Sequence, residues 1–343
     1  MDVTTVFSRA AASQSSYAEG FLPLASLQDT SDKLFTELTG KGVTIDQAYS
    51  IAAQLMVVAQ ADTTDAGFSA TLFESRKTGE LILAMRGSDE IAPDWTAANL
   101  QNLISGVARQ QVVDMLNFYL ILTAPPGSSI AQYRYDTLAQ SVTLPSPGPN
   151  YTLKNFTNNL SYYEGIVPTS TATGLGLLAA GTRVSATGHS LGGHLASAFA
   201  LLLPHNILSV TTFNSAGFLG WLGSEFSNFA VLLGNGISEI SISADPYMAM
   251  DVHDIASPTD WVSRLPGVSH LSSSLSSFAI EVSTGESPTP LSHGHYIDPL
   301  VDSLAVGNLI DVLTVGNLLT HRKQGSRFRL SAVSLIPFPL NPI

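Results

Sequence analysis

Apolar positions recur at helical intervals over residues 44–60 (TIDQAYSIAAQLMVVAQ), where Thr44 and Gln47 stand in capping-box spacing, and this predicts a helix. Phe68–Phe73 and Leu81–Met85 are short strand-like runs joined across Arg76-Lys-Thr-Gly-Glu80, a turn carrying Gly79. They predict a hairpin feeding a buried strand. Residues 111–123 predict a second helix. From Ala124 to Gly174 the periodicity fades into Pro, Gly, Ser, Thr, Asn and Tyr, as expected of an insertion or cap rather than a second domain. Val184–Thr187 then runs as a strand into a glycine-bounded turn and a helix Gly193–Leu203 that stops before Pro204. Ser209–Phe213 and Glu239–Ser243 are the next expected strands. Strands alternating with helices predict an α/β fold, a mainly parallel sheet flanked by helices, as one domain over residues 1–343. The short repeat Val306-Gly-Asn-Leu and Val315-Gly-Asn-Leu lacks the Gly-Gly and Asp of a calcium-binding nonapeptide and reads as amphipathic packing.

Composition narrows the partners. Hydrophobic residues make up 45% of the 343 residues and charged residues 12%, enough apolar material for a sizeable core. A formal charge of −12, with no concentration of Lys and Arg, excludes nucleic acid and a membrane held by charge alone. With no cysteine there is no disulfide framework, thiol nucleophile or Cys-based metal site. No apolar run is long enough to span a bilayer, and residues 1–16 lack the basic and apolar regions of a secretory signal peptide.

The densest chemistry lies in Gly188-His189-Ser190-Leu191-Gly192, a G-x-S-x-G between an apolar strand and a good helix. The spacing has a mechanical cause: a serine on a sharp, strained turn leaves no room for flanking side chains, so glycines stand two residues away on both sides. Such a turn presents Oγ at a helix N-terminus, where the next backbone N–H binds an oxyanion. A Gly-rich turn with an inert serine is the plainer alternative.

A nucleophilic serine needs a base and an orienting acid, which in this topology follow in chain order Ser, Asp, His. Asp245 is the expected acid because it directly follows the expected strand Glu239–Ser243. Asp251, Asp254 and Asp260 fall in a loop and read as solvated or capping carboxylates, and Asp298 lies beyond the late histidines. Of the eight histidines, His189 and His194 belong to the turn, where packing or local hydrogen bonding accounts for them. His205 follows the helix end, His253 and His270 sit in a polar loop, and His321 lies beside Arg322 and Lys323. The base is then His293 or His295, in Leu291-Ser-His-Gly-His-Tyr-Ile297, with His293 preferred. Ala84-Met-Arg-Gly-Ser-Asp89 closes the strand Leu81–Met85 and offers Ser88 as second oxyanion donor, although an ordinary polar turn explains the same residues.

Arg86-Gly-Ser88 with Asp94-Trp95 and Asn99-Leu100, Gly188-His-Ser-Leu-Gly-Gly193, Asp245-Pro246 and His293-Gly-His-Tyr296 together resemble the class 3 lipases over about residues 61–300. The resemblance implies an α/β-hydrolase fold and cleavage of triacylglycerols and related esters by a Ser-Asp-His triad. It implies Ser190 as nucleophile, Asp245 as acid, His293 as base through His-x-x-Tyr, and Ser88 and Leu191 as oxyanion donors. Trp95 resembles the tryptophan of the family's lid, placed here at residues 89–105. The interval from Ser88 to Ser190 is longer than in the fungal members, which makes residues 106–174 an insertion or cap. Gly-His-Ser-Leu-Gly-Gly also resembles bacterial lipases exported without signal peptides. Their calcium repeats are absent here, and only the loop at Asp260 is similar to a structural calcium loop of those enzymes.

The expectation is thus a carboxylic ester hydrolase acting on lipid esters at an oil–water interface, a triacylglycerol lipase, with no cofactor and no metal in the site. Phospholipase A1 and polyester hydrolase are alternatives on the same residues. A serine peptidase or amidase needs a pocket for a charged or amide-linked substrate, and the motifs are poor in charge. A catalytically inactive lipid-binding protein is disfavoured, because nucleophile, acid, base and oxyanion candidates all stand in order. Low Lys content with abundant Ser, Thr, Asn and Gly points to a secreted, bacterial-type protein.

Overall fold

The computed structural model describes residues 3–21, 29–87, 108–139, 150–155, 161–219, 224–243, 251–256, 260, 263, 268–271, 276–277, 297–298, 300–302 and 304–306. Helices α1 (Val3–Ser15), α2 (Asp29–Gly40) and α3 (Ile45–Gln54) precede strands β1 (Leu55–Gln60), β2 (Ala70–Ser75) and β3 (Leu81–Met85). Helix α4 (Arg109–Thr123) is followed by β4 (Ser129–Ala139), β5 (Tyr151–Asn155) and β6 (Ser161–Thr173). Then come β7 (Val184–His189), α5 (Leu191–Leu202), β8 (Ile207–Phe213), β9 (Phe218–Leu219) and α6 (Ser224–Gly236). Short strands β10 (Val252–Ala256), β11 (Val268–Ser269) and β12 (Ser276–Ser277) complete the described elements. No helix among the described residues is long and apolar enough to cross a membrane.

Seven strands form one sheet in the order β1-β2-β3-β7-β8-β10-β12. Neighbours from β3 to β12 pair in parallel, while β2 runs antiparallel to β1 and β3. Period-two alternation divides the sheet between two layers. Ile82 and Ala84 of β3 join the cluster built on α1, α2 and α3, whereas Leu83 and Met85 join the cluster built on α4, α5 and α6. On β7, Ser185 and Thr187 meet α1: the Arg9 guanidinium donates to Ser185 Oγ at 3.1 Å and the Thr187 hydroxyl to the Arg9 carbonyl at 3.3 Å. A third cluster joins Val6, Phe7 and Ala10 of α1 to Phe213, Ile255 and the helical residues Ile297, Leu300, Val301 and Leu304.

Three sequence expectations are corrected. The helix expected over 44–60 ends at Gln54, and Leu55–Gln60 is strand β1, with Leu55, Val57 and Ala59 buried. A short apolar run fits either period, and here the ladder to β2 decides. Thr44 does precede the helix, but its side chain makes no capping hydrogen bond.

The stretch 124–174 is not without regular structure: β4, β6 and β5 form an antiparallel sheet, and β4 pairs with β6 from Ser129↔Thr173 to Ala139↔Tyr162. Its periodicity is hidden because a core position is occupied by a charge. Glu164, 1% exposed, pairs with Arg109 (2.8 Å) and Lys154 (3.1 Å) and accepts from the Tyr135 hydroxyl (3.1 Å). A buried carboxylate breaks the apolar alternation and is tolerated there because two cations and a hydroxyl satisfy it.

The third correction bears on the site. Glu239–Ser243 is not a strand. Both carboxylate oxygens of Glu239 lie 2.7 Å from the Tyr133 hydroxyl, and Ser243 N–H donates to the Leu202 carbonyl at 2.8 Å. The position beside β8 is taken instead by β10, in register Val252↔Val210 to Ile255↔Phe213.

Candidate active site

Strand β7 is buried at every position and delivers the chain into α5 through one residue, Ser190. Ser190 has φ 55° and ψ −122°, outside the helical and strand basins. A non-glycine residue held there costs about 1–3 kcal/mol and persists only where its surroundings over-determine it. They do so here: Ser190 N–H donates to the Phe213 carbonyl (3.0 Å), and its own carbonyl accepts from Gly193 N–H (3.1 Å) and Ala216 N–H (3.0 Å).

The flanking glycines are steric requirements. A Cβ on Gly188 would run into the backbone of Gly192, and a Cβ on Gly192 into the Met85 carbonyl, both far inside contact distance. The turn is therefore clamped between its own helix and the end of β3. Leu191 is the first residue of α5, so its N–H has no intrahelical acceptor and lies at the positive end of the helix dipole.

The sheet order shows which described carboxylates stand near the carboxyl ends of the strands beside β7. Ser190 leaves the carboxyl end of β7, and β8 and β10 are the next strands outward. The described carboxylate beyond the carboxyl end of β10 is Asp260, four residues past Ala256, with 0% exposure, accepting from Ser263 N–H at 3.0 Å. Asp254 lies inside β10, not in a loop, and accepts from the Thr212 hydroxyl at 2.5 Å. Asp251 is exposed and pairs with His253 of the same strand at 2.9 Å. Asp245 lies outside the described residues. The strand expected before it, Glu239–Ser243, does not form, while Val252–Ala256, followed by Ser257-Pro258 in the sequence, is a strand that runs on towards Asp260.

Two histidines of the turn are committed elsewhere. His189 Nδ1 lies 3.0 Å from the Tyr17 hydroxyl, a partner that no sequence pattern indicated. His194 is buried on α5 against Phe218, and its Nδ1 lies 2.7 Å from the Gly217 carbonyl. A carbonyl only accepts, so Nδ1 carries the proton of the neutral ring. Burial pushes the His194 pKa down to about 4, against the opposing pull of that carbonyl. In the unfolded chain His194 titrates near its ordinary value, so its neutral form favours the fold fully above about pH 6.5. That contribution is lost as the pH falls towards 4. Urea titrations at pH 7 and pH 4.5 are expected to show a smaller loss of stability for His194→Asn, which keeps an N–H donor but does not titrate. An equal loss in both proteins would remove His194 from the acid response.

Ser88, Trp95 and the whole segment 89–105 lie outside the described residues, as do His293 and His295. Fold and site together define an α/β protein: a mixed, mostly parallel sheet flanked by helices, with a serine on a strained strand-to-helix turn. No family model matches the chain, and no curated protein matches it. Among solved structures, the crystal structure of Lip2 lipase from Yarrowia lipolytica is similar over 78% of this chain and 77% of that chain, with 12% sequence identity and a TM-score of 0.31.

Proposed function

We propose that the protein is a serine ester hydrolase acting on lipid esters, with Ser190 as nucleophile, His293 as base and Asp260 as acid. The observation that carries this reading is the backbone of Ser190, strained and over-determined at the junction of a parallel strand and a helix N-terminus. Strain of this kind presents a side chain for chemistry, and an inert turn has no use for it. In the proposed reaction Ser190 Oγ attacks the ester carbonyl while His293 takes its proton and returns it to the leaving alcohol. Asp260 holds the imidazole in the required tautomer. The N–H groups of Leu191 and Ser88 hold the oxyanion. Water then hydrolyses the acyl-enzyme by the same proton path.

The preference for lipid esters rests on the motifs that resemble those of class 3 lipases and on the resemblance of Trp95 to the tryptophan of their lid. An alkyl fluorophosphonate is expected to label the chain once, on the peptide bearing Ser190, in mass spectrometry. Hydrolysis of tributyrin is expected to rise disproportionately once the ester exceeds its solubility and forms an emulsion. Labelling without an interfacial rise would reduce the proposal to a general esterase. Neither labelling nor hydrolysis of any p-nitrophenyl ester would overturn it.

A further inference from the structure

The segment after α1, residues 16–21, is fastened to three separate parts of the sheet. Gln60 Nε2 donates to the Ala18 carbonyl (2.6 Å), and Gln60 Oε1 accepts from Phe21 N–H (3.2 Å), which ties the segment to β1. The Glu19 carboxylate pairs with the guanidinium of Arg86, which also donates to the Thr63 hydroxyl at 3.0 Å. The Tyr17 hydroxyl meets His189. Arg86 and His189 stand directly beside the residues on which the proposed reaction depends: Gly87-Ser88 in the first case, Ser190 in the second.

Gly87 is enclosed by the same groups. A Cβ added to it would meet the His189 carbonyl at 2.6 Å, the Tyr17 hydroxyl at 2.7 Å and Ser190 Cβ at 3.3 Å. On the strand side, Gly192 packs on the carbonyl of Met85, so the chain from Met85 to Gly87 is held between helix α5, the nucleophile turn and the N-terminal segment. Arg86 is 3% exposed while Glu19 is 53% exposed. The guanidinium is therefore a buried cation neutralised from the surface by this segment.

We infer that Tyr17 and Glu19 are positioning residues that hold Arg86-Gly87 and His189 against the nucleophile turn and so keep Ser190 and the oxyanion donor at Leu191 N–H aimed. The inference rests on the hydrolase reading above. Its physical basis is that a preorganised donor stabilises the transition state only when already aimed, and misplacement by about 1 Å costs on the order of 10²-fold in rate. Tyr17 fixes the loop by packing its hydroxyl into the space beside Gly87 and bonding His189. Glu19 fixes it by compensating the Arg86 charge. Loosening either leaves substrate binding intact and weakens what is made only in the transition state.

The test uses the full chain and p-nitrophenyl butyrate, with butylboronic acid as a tetrahedral probe of the oxyanion site. Tyr17→Phe is expected to lower kcat about tenfold with KM within about twofold, and to weaken boronate inhibition by the same factor as kcat/KM. Glu19→Ala is expected to behave alike, and Glu19→Asp, which keeps the carboxylate charge for Arg86, to recover most of the loss. If Tyr17→Phe does not fold, the Glu19 pair decides, since its exposed side chain can be changed without opening the core. Unchanged kcat in the folded variants, or losses carried by KM with boronate affinity unaltered, would overturn the inference while Ser190→Ala remains inactive. An active Ser190→Ala protein would instead remove the hydrolase reading on which it stands.

Discussion

Ser190→Ala is expected to lower kcat on p-nitrophenyl butyrate by about 10⁴–10⁶-fold while the protein stays folded. The size follows from the nucleophile and base acting as one unit: without Oγ the remaining groups have nothing to activate, and what survives is the catalysis of binding and the oxyanion donors. The fold should persist because alanine keeps the Cβ that already occupies this turn, and the backbone bonds to Phe213, Gly193 and Ala216 do not involve the side chain. A change in Tm beyond about 2–4 °C, the equivalent of about 1 kcal/mol in a chain of this size, would mean that the hydroxyl is structural. Retention of more than a small fraction of wild-type activity by pure, folded Ser190→Ala protein would defeat the proposed mechanism.

Asp260→Asn is expected to cost about 10⁴-fold in kcat, and Asp245→Asn far less. Asparagine is nearly isosteric with aspartate and its Oδ1 still accepts the Ser263 N–H, so the loop after β10 keeps its local bond. What is lost is the charge that selects the imidazole tautomer and stabilises the imidazolium. The two aspartates thus separate two readings of the chain. If Asp245→Asn is the damaging change, the acid follows directly after residues 239–243 without a strand to present it, and the inference from sheet order is wrong.

The strained turn at Ser190 was legible in the chain because most of its determinants are local. Gly188 is required by the backbone of Gly192 and Gly193 a few positions on, the strand before Ser190 is fully buried and the helix after it is strongly apolar; only the space at Gly192 is set from afar, by Met85 at the end of β3. The hairpin of β2 and β3, the helix over residues 109–123 and strand β8 were legible for the same reason. The acid was not. Glu239–Ser243 and Val252–Ala256 are both short runs that satisfy a strand pattern. Choosing between them depends on which one lies beside β8, a non-local pairing that no local pattern encodes.

The same distinction explains Tyr17 and Glu19. Nothing in residues 16–21 marks them as neighbours of a turn some 170 residues later; their contacts with His189 and Arg86 arise when α1 packs across β3, β7 and β8 and leaves the following segment at the carboxyl ends of those strands. The three-stranded sheet over residues 129–173 is a further case, since its buried Glu164 is tolerable only with Arg109 and Lys154 in place. Local sterics and short-range periodicity therefore carried the α/β class and the position of the serine. The partner strands, the burial of Asp260 beyond β10 and the contacts of residues 16–21 with Arg86 and His189 were decided by packing, because each depends on contacts between segments far apart in the chain.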